Sequence, residues 1–360
     1  MRRRVTIQDI ARHSNASITT VSMVLRNKPG IGEETRRRVL ESARELGYQR
    51  RSPIADKRDL RTVAMILRAR TNSATARVPA VNPFYSDVIS GIEMAARTER
   101  INLLYGTLAV DSDNRPYELP DHLLGQELDG ILLIGSFSSD TISAIADGRP
   151  GPIVLVDAPA RAASHDAVVS DNRGGALRAV RHLIDLGHRH IAIAGPDLEM
   201  DPNFSQRRDG YLAVLAEKGL EPCIITTDRS GMDAVGDAAE EMLRANPAIT
   251  AIFGANDASA IQAMRGAQRV GRQVPDDLSI IGFDDIALAS EIRPRLTTMT
   301  VDRITMGRQA IHMLLYRLAW PDACRLMTVL QPELREREST AHAPGHRSQH
   351  PSADVATAPD

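Results

Sequence analysis

The chain opens on helical spacing. Ile7, Ile10 and Ala11 recur along one helix face, and Thr6-Ile7-Gln8-Asp9 has the form of a capping box, which predicts a first helix over about residues 6–13. Asn15-Ala16 makes a tight connection and Ser17 is an N-cap. Val21, Val24 and Leu25 then mark the inward side of a second helix that ends near Arg26, opposite a polar side of Ser17, Thr19, Thr20 and Ser22. Pro29-Gly30 interrupts the chain. Gly32 caps a third helix in which Val39, Leu40, Ala43 and Leu46 form one apolar stripe, with Gly47 as its stop. The expectation is an all-α head of three short helices over residues 1–49.

After a charged linker at 50–60, "RSPIADKRDL" with its preceding Gln49 and Arg50, the pattern changes. Short apolar runs appear at Val63–Leu67, Ile131–Ile134, Ile153–Val156, Ile191–Ala194, Ala251–Phe253 and Leu278–Ile281, with amphipathic stretches such as 86–99, 174–187 and 208–219 between them. Continuous apolar strands alternating with helices predict parallel sheets covered on both faces. A stretch of this length exceeds one modest sheet, so residues 61–340 are expected to form a two-lobed α/β body with ligands bound at the carboxyl ends of its strands. The stretch "RTNSATARVPAV" at 70–81 reads as a surface insertion rather than a flap. The tail at 341–360, rich in Ala, Pro, Ser and His without periodicity, is expected to be disordered.

Composition narrows the class. Apolar residues at 42% and charged residues at 25% are ordinary globular values. No apolar run approaches the roughly 20 residues that span a bilayer, and the export-signal pattern does not follow the basic Met1-Arg2-Arg3-Arg4. With only Cys223 and Cys324, a disulfide framework is not expected, and a cytoplasmic location fits. The net charge of −2 conceals an asymmetry: residues 1–60 hold 14 Lys and Arg against 7 Asp and Glu, while the rest holds 30 against 39. A basic head on an acidic body points to a head that meets a polyanion.

Enzyme chemistry leaves no signature. There is no G-x-S-x-G, H-E-x-x-H, P-loop or G-x-G-x-x-G. His182, His188 and His190 lack the spacing of a helical metal pair and read as surface residues, so neither a metal nor a cofactor is expected. Two rival readings remain beside a DNA-binding regulator: an α/β enzyme, which turnover of a cleft ligand would reveal, and an exported solute-binding protein, which would carry an export signal where this chain has a basic helical head.

The segment "VTIQDIARHSNASITTVSMVLRNKPGIGEETRRRVLESARELGY" at 5–48 resembles the DNA-binding head of the LacI/GalR (lactose-repressor) family of bacterial transcriptional regulators. The resemblance continues in order through "NPFYSDVISGIE", "VVSDNRGGALRAVRHLIDLGHRHIAIAG", "RRDGYLAVLAEKGL", "ANDASA", "VPDDLSIIGFDD", "RPRLTTMTVDR" and the "REST" of 337–340. It implies a helix-turn-helix head on a periplasmic-binding-protein-like body. It further implies a homodimeric repressor of a carbohydrate-related catabolic operon, whose partners are near-palindromic double-stranded operator DNA and a small sugar-like effector in the interlobe cleft.

Residue by residue, the resemblance implies DNA contacts from Thr6, Ser17, Thr20 and Ser22, base reading from Ile18, Thr19 and Met23, and further contacts from Arg26 and Asn27. Two departures stand out. Met23 replaces the family's usual Arg, which suits bidentate contact with guanine, and Arg26 replaces the usual Asn. In the linker no Leu is in register to wedge into the minor groove, and Ile54 is the nearest apolar candidate. For the effector the resemblance implies Phe84, Tyr85, Asp157, Arg207, Asn256, Asp257 and Asp284, with Met232 where relatives carry an aromatic.

Overall fold

The computed structural model describes residues 6–25, 31–46, 62–71, 82–111, 115–119, 127–147, 151–158, 165–196, 198–199, 201–227 and 233–345. The chain divides into two compact units between residues 59 and 60. In the first unit, α1 (Ile7–His13), α2 (Ile18–Leu25) and α3 (Glu33–Glu45) enclose a core of Ile10, Ala11, Val21, Val24, Val39 and Ala43. The capping box at Thr6 and Asp9 forms. The turn into α2 depends on Asn15 at φ 48°, a left-handed conformation that a short amide side chain tolerates better than most. Arg38 on α3 braces that turn by donating from Nε to the Ser14 carbonyl at 2.9 Å. Leu40 departs from the expected stripe. It is 48% exposed, because position 40 follows Val39 by one residue and so turns about 100° away from the buried face.

The second unit contains two six-stranded sheets. Its elements in chain order are β1 (Thr62–Arg70), α4 (Pro83–Glu99), β2 (Asn102–Val110), β3 (Gly130–Ile134), α5 (Ser139–Ala146), β4 (Ile153–Val156), β5 (Asp166–Ser170), α6 (Asn172–Asp185), β6 (Ile191–Ala194), α7 (Pro202–Lys218), β7 (Cys223–Ile225), α8 (Asp233–Ala245), β8 (Ala251–Gly254), α9 (Asp257–Arg269), β9 (Ser279–Asp284), α10 (Ala287–Glu291), β10 (Thr297–Thr300), α11 (Arg303–Ala319), β11 (Met327–Leu330) and β12 (Glu333–Arg335). The first sheet has the order β11-β5-β4-β3-β1-β2, and all its pairings are parallel. The second, β12-β10-β9-β8-β6-β7, is parallel except for the antiparallel edge strand β12.

Five of the six apolar runs lie within strands and the sixth, Leu278–Ile281, begins one residue before β9; all six are buried, which is why they read as continuous hydrophobic segments. The helix expected from 208 begins six residues earlier, at Pro202, where Asp201 caps it by accepting from the Asn203 and Phe204 amides. The chain passes from one sheet to the other after β5, back between β10 and α11, and across again between β11 and β12. This threading brings the carboxyl ends of both sheets together.

Two expectations are corrected here. His188 is buried rather than superficial: Nδ1 lies 3.0 Å from the Thr250 hydroxyl and Nε2 lies 3.1 Å from the Ala341 carbonyl. The tail does not begin at 341 as a free strand of chain. Ala341 also donates its amide to Ser279 Oγ at 2.9 Å, and Ala343 is buried with its amide on the Leu186 carbonyl, so backbone pairing carries the order through residue 343. The linker, the stretch 72–81 and Met232 lie outside the described residues.

Candidate functional site

In the head, α2 presents two chemically different sides. Val21 and Val24 are buried and Leu25 packs against the same core. Ile18 is 52% exposed, Thr19 is exposed, and Ser22 and Met23 are half-buried. Thr19 and Met23 stand four residues apart and therefore share a face with Ile18 and Ser22. Ser17 Oγ accepts from the Thr20 amide at 3.0 Å and lies 2.8 Å from the Thr20 hydroxyl, so both hydroxyls cluster at the exposed amino end of α2. Thr6 is exposed at the start of α1. Arg26, Asn27 and Ile54 lie outside the described residues.

In the second unit, a cavity of about 210 Å³ opens between the two sheets. Six of the seven residues expected there line it: Phe84, Tyr85, Asp157, Arg207, Asn256 and Asp284. The seventh, Asp257, does not. Its carboxylate is turned away, accepting from Thr298 Oγ1 at 2.5 Å and from the Ile286 amide at 2.8 Å. Asn256 stands just outside α9 in extended backbone, while Asp257 is the first residue of the helix and its carboxylate is taken by Thr298 and the Ile286 amide. Asn256 itself caps α9, accepting from the Ser259 amide at 2.8 Å.

The first lobe supplies an aromatic wall. Phe84 and Tyr85 begin α4 and meet edge to face, their ring centroids 5.3 Å apart. Tyr85 donates its hydroxyl to Asp157 Oδ2 at 3.0 Å. Gly135, at φ 91°, follows β3 beside this ring, and a side chain there would crowd the Tyr85 hydroxyl. Asp157 terminates β4 in the left-handed region at φ 57° and is 4% exposed. Burial pushes its carboxyl up to about 7, against the opposing pull of Arg207. Its Oδ1 is buried with no hydrogen-bond partner. The Tyr85 hydroxyl is raised well above its ordinary value, first by burial and then by the charge of Asp157.

The second lobe supplies a buried cation. Arg207 is 3% exposed and lies 3.8 Å over the Phe283 ring. Its Nε donates to Asn172 Oδ1 at 2.9 Å, Nη1 to the Ala255 carbonyl at 2.6 Å, and Nη2 lies 3.0 Å from Asp284 Oδ1. Burial raises the Asp284 carboxyl, while Arg207 and Arg303 oppose the shift.

Five further polar residues line the cavity without having been singled out in the sequence: Arg68, Arg70, Asn82, Asp201 and Asn203. Arg68 on β1 reaches across to Asp201 at the start of α7, 3.3 Å away. Asn203 donates to the Asp157 carbonyl at 2.9 Å and accepts from Asn172 at 3.0 Å. The Arg68–Asp201 and Asn203–Asp157 contacts join one lobe to the other. Arg68 had a signal, a cation inside the apolar run of β1. Asp201-Pro202-Asn203 had one too, an N-cap followed by Pro.

A three-helix unit with an outward polar recognition face, and a two-lobed body with a polar cavity at facing strand ends, define a ligand-responsive DNA-binding regulator rather than an enzyme. Residues 6–51 match the model of bacterial regulatory proteins of the lacI family, and residues 180–340 match a periplasmic binding protein-like domain. The chain is 32% identical to catabolite control protein A of Priestia megaterium over 86% of this chain and 91% of that protein. It is also 32% identical to the HTH-type transcriptional repressor CytR of Escherichia coli K12, covering 94% of this chain and 97% of the relative. Among solved structures, a complex of the transcriptional regulator CelR with cellobiose superimposes with a TM-score of 0.66 at 26% identity, over 93% of this chain and 100% of that one. A regulator from Enterococcus faecium with bound ribose has the same TM-score at 26% identity, over 78% of this chain and 99% of that one. The chain belongs to the LacI family of transcriptional regulators.

Among the described residues, no helix is long and apolar enough to cross a membrane, and no cluster of His, Cys, Asp and Glu is arranged to hold a metal ion.

Proposed function

We propose that this regulator is a cytoplasmic, homodimeric repressor of a carbohydrate-related catabolic operon, and that its effector is a neutral polyhydroxylated molecule of monosaccharide size. The observation that carries the effector reading is Asp157 Oδ1, a buried acceptor without a partner in a cavity otherwise lined by charged, amide and aromatic groups. An unmet buried acceptor costs free energy that a ligand hydroxyl would recover. The cavity volume of about 210 Å³ is smaller than the roughly 300–1,000 Å³ of drug-sized ligand sites, which favours a single sugar ring over a larger ligand. The relatives with ribose and with cellobiose bracket that size range.

In this reading Phe84 and Tyr85 form the apolar wall, and Asp157, Arg207, Asn256 and Asp284 take the hydroxyls, joined by Arg68, Asp201 and Asn203. At the operator, Ile18, Thr19 and Met23 read bases while Thr6, Ser17, Thr20 and Ser22 contact phosphates. Two heads on one dimer engage a near-palindromic site, because a single head contacts too few base pairs for tight binding. A thermal-shift screen of the full chain against pentoses, hexoses, disaccharides and nucleosides tests the effector reading. A ligand at one hundred times its Kd adds about 2.7 kcal/mol to the stability of the unit that binds it. A response to disaccharides alone would overturn the size assignment.

A further inference from the structure

Arg303 is not among the residues that line the cavity, yet its guanidinium lies 5.9 Å from the centre of the Phe84 ring. It begins α11, where the chain returns from the second sheet to the first lobe, and its side chain is only 11% exposed. Nε and Nη2 both bind Asp87 Oδ2, at 3.0 and 2.6 Å. Nη1 donates to the Asp284 carbonyl, and Nη2 also donates to the Asp285 carbonyl at 3.0 Å. One guanidinium therefore holds two peptide groups of the second lobe and one carboxylate of the first.

Both ends of this link lead to the cavity. Asp284 points its carboxylate at Arg207 inside the cavity while its carbonyl rests on Arg303. Asp87 lies on α4, two residues beyond Tyr85 and three beyond Phe84. The peptide groups held by Arg303 are also the strained ones. Asp284 has φ 112° and Asp285 φ 56°, consecutive non-glycine residues in conformations that persist only when their surroundings impose them. Asp285 is pinned from the other side by Thr300 Oγ1 at 2.7 Å and Arg337 Nη2 at 2.6 Å. The receiving helix has little give: a side chain at Gly91 would strike the Ile304 carbonyl and one at Gly307 the Val88 carbonyl, so α4 and α11 touch backbone to backbone.

We propose that Arg303 is a positioning residue that couples Asp284 in the cavity to α4 of the first lobe, through its ion pair with Asp87. A change at the Asp284 carboxylate shifts the 284–285 peptides, and Arg303 transmits that shift to the helix carrying Phe84 and Tyr85. The biological use of this link rests on the effector reading above, but the link itself can be tested without a ligand.

The test is hydrogen–deuterium exchange of the full chain, read in peptides covering residues 83–99. Asp284→Asn is expected to speed exchange there about threefold or more while Arg303 is intact, the size of a modest coupling between sites. In an Arg303→Gln background the same substitution should leave those peptides nearly unchanged, and Arg303→Lys should restore part of the response. Equal acceleration in both backgrounds, or none with Arg303 intact, overturns the proposal. If circular dichroism shows Arg303→Gln unfolded, Asp87→Asn cuts the same link at its half-exposed end and must insulate α4 in the same way; persistence of the acceleration there overturns it equally. Arg207→Lys perturbs the same carboxylate and takes the place of Asp284→Asn if that variant loses its helical signal. A ligand screen that failed would leave these exchange results standing, so the two readings fail separately.

Discussion

Arg207 Nη2 lies 3.0 Å from Asp284 Oδ1 with both side chains less than a tenth exposed, and the same guanidinium is bound by Asn172 and the Ala255 carbonyl. The pair is thus part of the scaffold that shapes the cavity as well as a set of groups facing it. Arg207→Ala strands a buried carboxylate and should lower the stability of the body by about 3–5 kcal/mol. Urea unfolding followed by circular dichroism checks this. A midpoint unchanged from the parent protein would mean that the charge pair contributes nothing to the fold, and that effects of the substitution belong to ligand contact alone.

Asp157 gives the body a pH dependence of known sign. Its carboxyl titrates at about 7 in the folded state against an ordinary 3.8, raised first by burial. Between those values the folded state holds more protons than the unfolded one, so the contribution of Asp157 to stability falls as pH rises through that window and is constant above it. The slope is up to about 1.4 kcal/mol per pH unit. The stability of the parent relative to Asp157→Asn, measured by denaturation from pH 4 to 8, should therefore decline up to about pH 7 and then level. A sugar hydroxyl donating to the carboxylate favours its charged form, so ligand binding at pH 6 should release protons, measurable by calorimetry in two buffers of different ionisation enthalpy.

Asp257 is the contrasting acid. Its carboxylate serves Thr298 and the Ile286 amide outside the cavity. Asp257→Ala should cost about 1–3 kcal/mol of stability through unmet buried donors. Affinity for a monosaccharide found in the screen should change by less than about threefold, a small fraction of the cost of losing a direct polar contact. A loss of affinity matching that of Asp157→Ala would return Asp257 to the site.

Met23 shares the outward side of α2 with Thr19. A thioether cannot make the paired donor contact to guanine O6 and N7, but it packs on a thymine methyl. The operator half-site should therefore tolerate variation, or prefer an A·T pair, at the step that residue 23 faces. Met23→Arg should create a guanine preference of about 1–3 kcal/mol at that step. It should also raise affinity for all DNA at low salt through the added charge. Selection of sites from random DNA with both proteins at one stated salt concentration decides the point; identical preferences at every position would remove residue 23 from the bases.

The helices of the head were legible in the sequence because their signals are local. A capping hydroxyl, a turn residue and an apolar repeat lie within a few positions of one another, and α1, α2 and α3 all start where those signals place them, to within a residue. Six of the eight central strands were legible for a similar reason, since a strand covered on both faces reads as a continuous apolar run; β5 and β10 are just as buried, but their Asp, Ser and Thr residues hid them. The edge strands β2, β7, β11 and β12 carry half-exposed or polar residues, and only pairing with a neighbour makes them strands. The cavity divided in the same manner. Tyr85, Asp157, Arg207 and Asp284 could be named from the motifs that carry them. Their hydrogen bonds to one another could not, nor could the turning away of Asp257, the bridges from Arg68 to Asp201 and from Asn203 to Asp157, or the grip of Arg303 on Asp87. Those contacts join residues separated by 29 to 216 positions, and proximity over such distances arises only from the packing of the sheets and helices on one another. Local chemistry determined which elements form and which side chains they offer; the packing of the lobes decided which of those side chains meet.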